Sequence, residues 1–274
     1  MVAYPGRGER TVDLGLRGRV ALVGGASRGL GYACARQLAG EGASVALCAR
    51  DASQVDRAVR RIQAETGADL FGFSCDLARP EAPDAWVAAS QARFGPIDIL
   101  VHNTGGPPPG DFDELDDAAW EQAFQLLLMS AIRLYRAVIP GMRRRKWGRI
   151  VAIESISVRE PIDGLLLSNA LRPGVAAVGK SLSRRLAADG ILVNCVAPGS
   201  FNTARSRGLA EARARRAGIP VEELMARSAR DFPRGRPGEP AELAALVSFL
   251  CSEKAGNVNG ATVVADGGVS RSLA

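Results

Sequence analysis

Three observations predict an α/β fold with one parallel sheet covered by helices on both faces. Short apolar runs recur at residues 20–23, 44–49, 70–75, 97–101, 149–153, 191–196 and 261–265. Helical periodicity fills most of the gaps between them. A glycine-rich turn over residues 24–31 joins the first run to the first helix. Short apolar runs suit strands buried on both faces, and their alternation with helices builds right-handed β–α–β units. The expected architecture is a Rossmann-like, doubly wound, seven-stranded parallel sheet.

The elements can be justified in order. Val20-Ala-Leu-Val23 is the first strand, and Leu30, Cys34 and Leu38 recur at i, i+4 and i+8 as one helix face. Residues 55–64, 85–93, 120–143, 175–188 and 239–251 carry the later helical patterns. Pro173 disfavours helical geometry at Arg172 and suits a first helical turn, so that helix is expected to begin after Arg172. Residues 200–240, rich in arginine and carrying Pro220, Pro233 and Pro237, interrupt the rhythm. In a doubly wound sheet ligands bind beyond the carboxyl ends of the strands. This insertion is therefore expected to be a substrate lid, with a solvated helical excursion as the plainer alternative.

Length and composition bound the function. At 274 residues, with 47% hydrophobic and 23% charged content, the chain suits a single large domain over residues 14–274. Residues 1–13, with Gly, Pro and Arg and no apolar core, read as a flexible extension without a signal peptide. No apolar stretch approaches a membrane span, so no membrane partner is expected. Cys34, Cys48, Cys75, Cys195 and Cys251 lie in or beside apolar segments without C-x-x-C spacing. They read as buried free thiols of a cytoplasmic protein, and no metal site is assigned. Three of the 35 basic residues are lysines, a skew that looks like base-composition bias. The one dense run, Arg143–Lys146, ends a predicted helix, where cations complement the dipole, so no nucleic-acid partner is expected.

The glycine turn has the spacing G-x-x-x-G-x-G at Gly25, Gly29 and Gly31. A strand turning through glycines into a helix N-terminus presents N–H groups and a dipole to a diphosphate. Charge then selects the cofactor. The second strand ends in Ala49 where a carboxylate would accept from free ribose hydroxyls, and Arg50 follows while Arg28 lies in the turn. Two guanidinium groups without a carboxylate suit a 2′-phosphate, favouring NADP(H) unless either arginine pairs with Asp51 or another acid.

Five motifs in order now resemble the short-chain dehydrogenase/reductase family, in a subgroup similar to 3-oxoacyl-carrier-protein reductases, over roughly residues 14–273. They are Gly24–Gly31, Cys75-Asp76-Leu77, His102-Asn103-Thr104-Gly105, Asn194–Gly199 and Asp266-Gly267-Gly268. The resemblance implies a cofactor set of Gly25, Ser27, Arg28, Gly29, Leu30, Gly31, Arg50, Asp76, Leu77, Asn103, Gly105, Pro198, Gly199 and Thr203. It also implies a homodimer or homotetramer, because residues 120–143 and 175–188 are long and apolar on more than one face.

The match breaks at the chemistry. The family uses a serine, a tyrosine, a lysine four residues on, and an asparagine. Ser155 matches the serine, but Ser168 stands for the tyrosine, Arg172 for the lysine and Leu127 for the asparagine. Serine is a far weaker acid than tyrosine, whose pKa is about 10, and arginine stays protonated. Similar Ser-Asn-x-x-Arg chains with a Gly-Gly-Pro-Pro-Pro-Gly loop, like residues 105–110 here, form a divergent branch. His102 is expected to be structural, Glu154 to face the sheet, and Asp163 to sit in a turn. Three readings stay open. The first is an NADP(H)-dependent oxidoreductase of a carbonyl or acyl substrate, with Ser155, Ser168 and Arg172 as its catalytic set. The second is a catalytically silent NADP(H)-binding subunit or regulator, and the third is non-redox chemistry in the same pocket.

Overall fold

A computed structural model describes residues 12–272, so the expected N-terminal extension lies outside the described residues except for Val12 and Asp13. Seven parallel strands form one sheet in the order β3-β2-β1-β4-β5-β6-β7. They are β1 (Val20–Val23), β2 (Ser44–Ala49), β3 (Leu70–Ser74), β4 (Ile99–His102), β5 (Gly148–Ile153), β6 (Ile191–Pro198) and β7 (Thr262–Ala265). Each lies within about two residues of its predicted apolar run. The helices are α1 (Gly29–Gly40), α2 (Ala52–Thr66), α3 (Ala82–Phe94), α4 (Asp117–Phe124), α5 (Ser130–Arg145), α6 (Leu166–Leu186), α7 (Ala204–Ala217), α8 (Val221–Asp231) and α9 (Pro240–Cys251).

Alternation along each strand divides the core between the two faces. Ala21 and Val23 pack with Cys34 and Leu38 of α1, Ile62 of α2 and Val247 of α9. Val20 and Leu22 pack on the other face with Trp86 of α3, Leu134 of α5 and Val175 of α6.

Two sequence expectations need correction. Pro173 lies inside α6, which already begins at Leu166. The Asn169 side chain fixes that earlier start by accepting from Ile162 N at 3.1 Å and donating to Ile162 O at 2.9 Å. Leu167, Ser168, Arg172 and Val175 are buried on either side of the proline. This packing offsets the one helical hydrogen bond that proline cannot make.

The predicted helix 120–143 runs from Asp117 to Arg145 but passes through a π-helical turn, Gln125–Met129. Over its 29 residues it is long and apolar enough to cross a bilayer. Here its apolar face enters the core through Leu127, Ala131, Leu134, Val138 and Met142. The segment 200–240 folds mostly as α7 and α8, which gives it the helical form of the plainer alternative.

The amino ends of the central strands are tied together. Asp98 accepts from Val20 N at 3.1 Å and pairs with Arg145 at 3.2 Å. Buried Arg149 donates to the carbonyls of Ser252, Gly148 and Gly190, while Trp147 lies under both Arg149 and Arg19. The basic run closing α5 is engaged as well, since Arg143 and Lys146 both pair with Asp189.

Candidate active site

β1 and β4 are neighbours from which the chain departs in opposite directions, the place where such sheets open a crevice. Gly25 and Gly29 have φ of 56° and 62°, a region that side chains rarely adopt. A Cβ on Gly31 would lie 2.5 Å from Gly25 O. The Asn103 amide, just past β4, donates to Gly24 O and Gly25 O at 3.0 and 3.3 Å and braces the turn. Arg28 stands at the N-cap of α1 without a side-chain capping bond, and the first turn holds no acid. Those orphan N–H groups fit a diphosphate. Thr203, the N-cap of α7, comes within 3.7 Å of where a Gly29 Cβ would be. Ser27 and Leu30 flank the same turn, both half-buried.

The adenosine end fits too. Arg28 and Arg50 are exposed and neither forms an ion pair among the described residues. Asp51 caps α2 through Gln54 N and Ser53 instead. Asp76 accepts from Ala78 N, and Leu77 is buried with its Cδ1 3.3 Å from the place of a Gly24 Cβ. Gly105 is exposed on the loop after β4. Pro198 is buried, and a Gly199 Cβ would lie 2.7 Å from Asp266 Cβ, so these two motifs hold each other. Asn194 is wholly structural, bonded to Val258 O and Ala261 N.

Ser155 follows β5, where its Oγ accepts from Ser157 N at 3.1 Å, leaving its O–H free to donate. Ser168, in the first turn of α6, is buried, and no described residue hydrogen-bonds its hydroxyl. Arg172 lies one turn on and does not stand free. Its Nη1 is 3.1 Å from Glu154 Oε2 and reaches toward Ile153 O, with the side chain 9% exposed. Glu154 Oε1 is 3.6 Å from His102 Nδ1, and His102 Nε2 is 3.0 Å from Ser130 Oγ. Ser130 in turn donates to Leu126 O in the π turn at 2.5 Å. Two buried polar pairs thus adjoin, Arg172 with Glu154 and His102 with Ser130, and the 3.6 Å between Glu154 and His102 is too long for a hydrogen bond.

The expectations for His102 and Glu154 hold in part: both are buried, but Glu154 is also bonded to Arg172. Asp163 lies in a turn, as expected. Tyr135 lies edge-on to His102, yet burial first, then Cys195 and Glu154, raise its pKa well above the tyrosine range. A proton donor needs the opposite shift.

Helix α7 adjoins this rim. Arg216 of α7 pairs with Glu114 at 2.7 Å and reaches Asp111, while Arg205 donates to Pro107 O at 2.6 Å. Sequence reasoning did not single out Arg205. Its available signal was the lack of an acid four residues away, whereas Arg207 has Glu211.

Comparison with known proteins agrees with this geometry. Residues 25–270 match the family model for enoyl-(acyl carrier protein) reductase. The chain is 36% identical over 259 residues to dehydrogenase/reductase SDR family member 4 of Oryctolagus cuniculus, covering 94% of this chain and 96% of that one. L-sorbose reductase from Gluconobacter frateurii, complexed with NADPH and L-sorbose, superposes with a TM-score of 0.90 at 33% identity, covering 96% and 100% of the two chains. An NADPH-bound short chain oxidoreductase from Pseudomonas aeruginosa PAO1, containing an atypical catalytic center, gives 0.82 at 31% identity, covering 92% and 97%. Matched along nearly its whole length in sequence and fold, the chain belongs to the short-chain dehydrogenase/reductase family of oxidoreductases.

Proposed function

We propose that this protein is an NADP(H)-dependent oxidoreductase that interconverts a carbonyl and an alcohol, close to 3-oxoacyl reductases, through a site without the family tyrosine and lysine. The carrying observation is that Arg172, one turn from Ser168 on α6, is bonded to Glu154, the residue before Ser155, at the carboxyl end of β5. The NADPH of the relatives' structures supports the cofactor choice, as do the unpaired guanidinium groups of Arg28 and Arg50. When bound, the nicotinamide supplies the hydride.

Ser155 orients the carbonyl through its free O–H. Arg172, held in place by Glu154, faces charge developing on the carbonyl oxygen, and Ser168 completes the polar wall. Water supplies the proton, because neither serine nor arginine is an adequate acid. Loss of a general acid typically removes ~10²–10⁴-fold in rate, so the enzyme is slow on simple ketones.

A second reading, a silent NADP(H)-binding subunit, draws on the engagement of Arg172 by Glu154. One experiment separates the two. Wild type should oxidise NADPH slowly with activated diketones, and Ser155→Ala or Arg172→Ala should abolish this while cofactor affinity stays within a few-fold. Ser168→Tyr with Arg172→Lys should accelerate simple ketones, because it restores an acid whose pKa a neighbouring cation lowers. Pro173 can remain, since α6 already includes it. Binding without turnover in wild type, with turnover gained by the double variant, selects the silent subunit. Binding without turnover in both overturns the reductase assignment.

A further inference from the structure

The arginines of α7 are not treated alike. Arg207 pairs with Glu211 and Glu222, and Arg216 with Asp111 and Glu114. Arg205, on the same helix, has no acidic partner among the described residues. Its guanidinium is turned toward the rim of the sheet, over Gly106, where a Cβ would lie 2.5 Å from Nη2. One hydrogen bond, to Pro107 O, engages it, out of the five N–H donors that a guanidinium carries. The side chain is exposed at this rim, yet the packing around it, and next the charge of Arg172, push its pKa down. The field of Arg172 thus reaches Arg205, while the carboxylate of Glu154 lies against Arg172, at 3.1 Å. Asp111 and Glu114, the acids of the neighbouring loop, face Arg216. A cation in the field of another cation, with donors open to solvent and no acid beside it, is placed to receive an anion.

The position selects which anion. Arg205 lies two residues beyond Thr203, which adjoins the glycine turn. The loop it covers is bridged at Gly110 to Leu165, immediately before α6 with Ser168 and Arg172. We propose that the carbonyl substrate is anionic, and that Arg205 receives its carboxylate and sets the enzyme's specificity. This rests on the reductase reading for the word substrate, but not for the binding itself. A planar carboxylate suits the fork of donors that Arg205 leaves open.

Calorimetric titration of the NADPH-loaded protein tests this with 2-oxobutanoate, 4-oxopentanoate and 2-oxoglutarate, each beside its methyl ester. At least one acid should bind about tenfold or more tightly than its ester, the scale of a charge-assisted hydrogen bond. Arg205→Gln should remove that preference while NADPH affinity stays within twofold, and Arg207→Gln should leave both unchanged. Equal binding of every acid and ester by wild type overturns the proposal. So does a large loss of NADPH affinity in Arg205→Gln, which would assign the residue to the cofactor diphosphate. If the preference is present and the acids are not reduced, the anion site stands and the reductase reading falls.

Discussion

Arg172 and Glu154 form a buried ion pair, 3.1 Å apart, with side-chain exposures of 9% and 1%. The pair joins the first turns of α6 to the end of β5. The residue that stands in place of the family lysine is thus anchored by the residue that precedes Ser155.

Removing either member leaves a charge without its partner. Glu154→Gln and Arg172→Met should each destabilise the fold by about 3–5 kcal/mol, and the double variant by clearly less than their sum. Urea denaturation of the four proteins measures this. Additive losses would show that the two charges do not interact.

NADPH should bind at least about tenfold more tightly than NADH, through charge-assisted contacts of Arg28 and Arg50 with a 2′-phosphate. Fluorescence titration decides it. Equal affinities, or an Arg50→Ala variant with unchanged NADPH affinity, would remove the basis for the cofactor choice.

The thiols should differ sharply in reactivity. Burial pushes Cys195 and Cys251 up to about 12, and raises Cys34 and Cys48 as well. Cys75 is lowered, because Cys48 donates a hydrogen bond to its sulfur. The thiolate is the reactive form, so at pH 8 maleimide should modify Cys75 first, with the others protonated and slow. NADPH should protect it, since Asp76 and Leu77 follow directly. Peptide mapping that finds Cys195 or Cys251 modified at the same rate in native protein would refute this.

A groove of about 300 Å³ lined by Asp117, Trp120, Glu121, Phe124 and Leu171 opens between α4 and α6. These are the helices expected to pair subunits. Light scattering at micromolar concentration should give a homodimer or homotetramer, which Trp120→Glu should dissociate. A 28.8 kDa wild-type monomer would contradict the expectation.

The strands were readable because a strand buried on both faces must be written as an unbroken apolar run. The glycine turn was readable because φ near 60° at Gly25 and Gly29 leaves few alternatives to glycine. The start of α6 was misread, since Pro173 is a local signal and the Asn169 bonds to Ile162 depend on chain folding. The π turn left no composition signature at Gln125–Met129. Glu154 carried a clue that charge alone could not complete. A carboxylate closing a buried strand needs a cation, and nothing local shows that it is the arginine 18 residues on. Arg205 was harder still, because what marks it is an absent partner.

The ties of Arg149, Trp147, Asp98 and Arg145 give the molecule a floor and a roof of different stiffness. At the floor, strand ends, α9 and the α5 terminus are joined through shielded carbonyls and stacked side chains. At the roof, the loop after β4 and α7 meet mainly through exposed arginine contacts. The contacts of the roof are the ones that can be broken without loosening the sheet. The same division lets the roof be rewritten residue by residue: an altered proton donor or a new specificity arginine changes what enters while the floor keeps the fold.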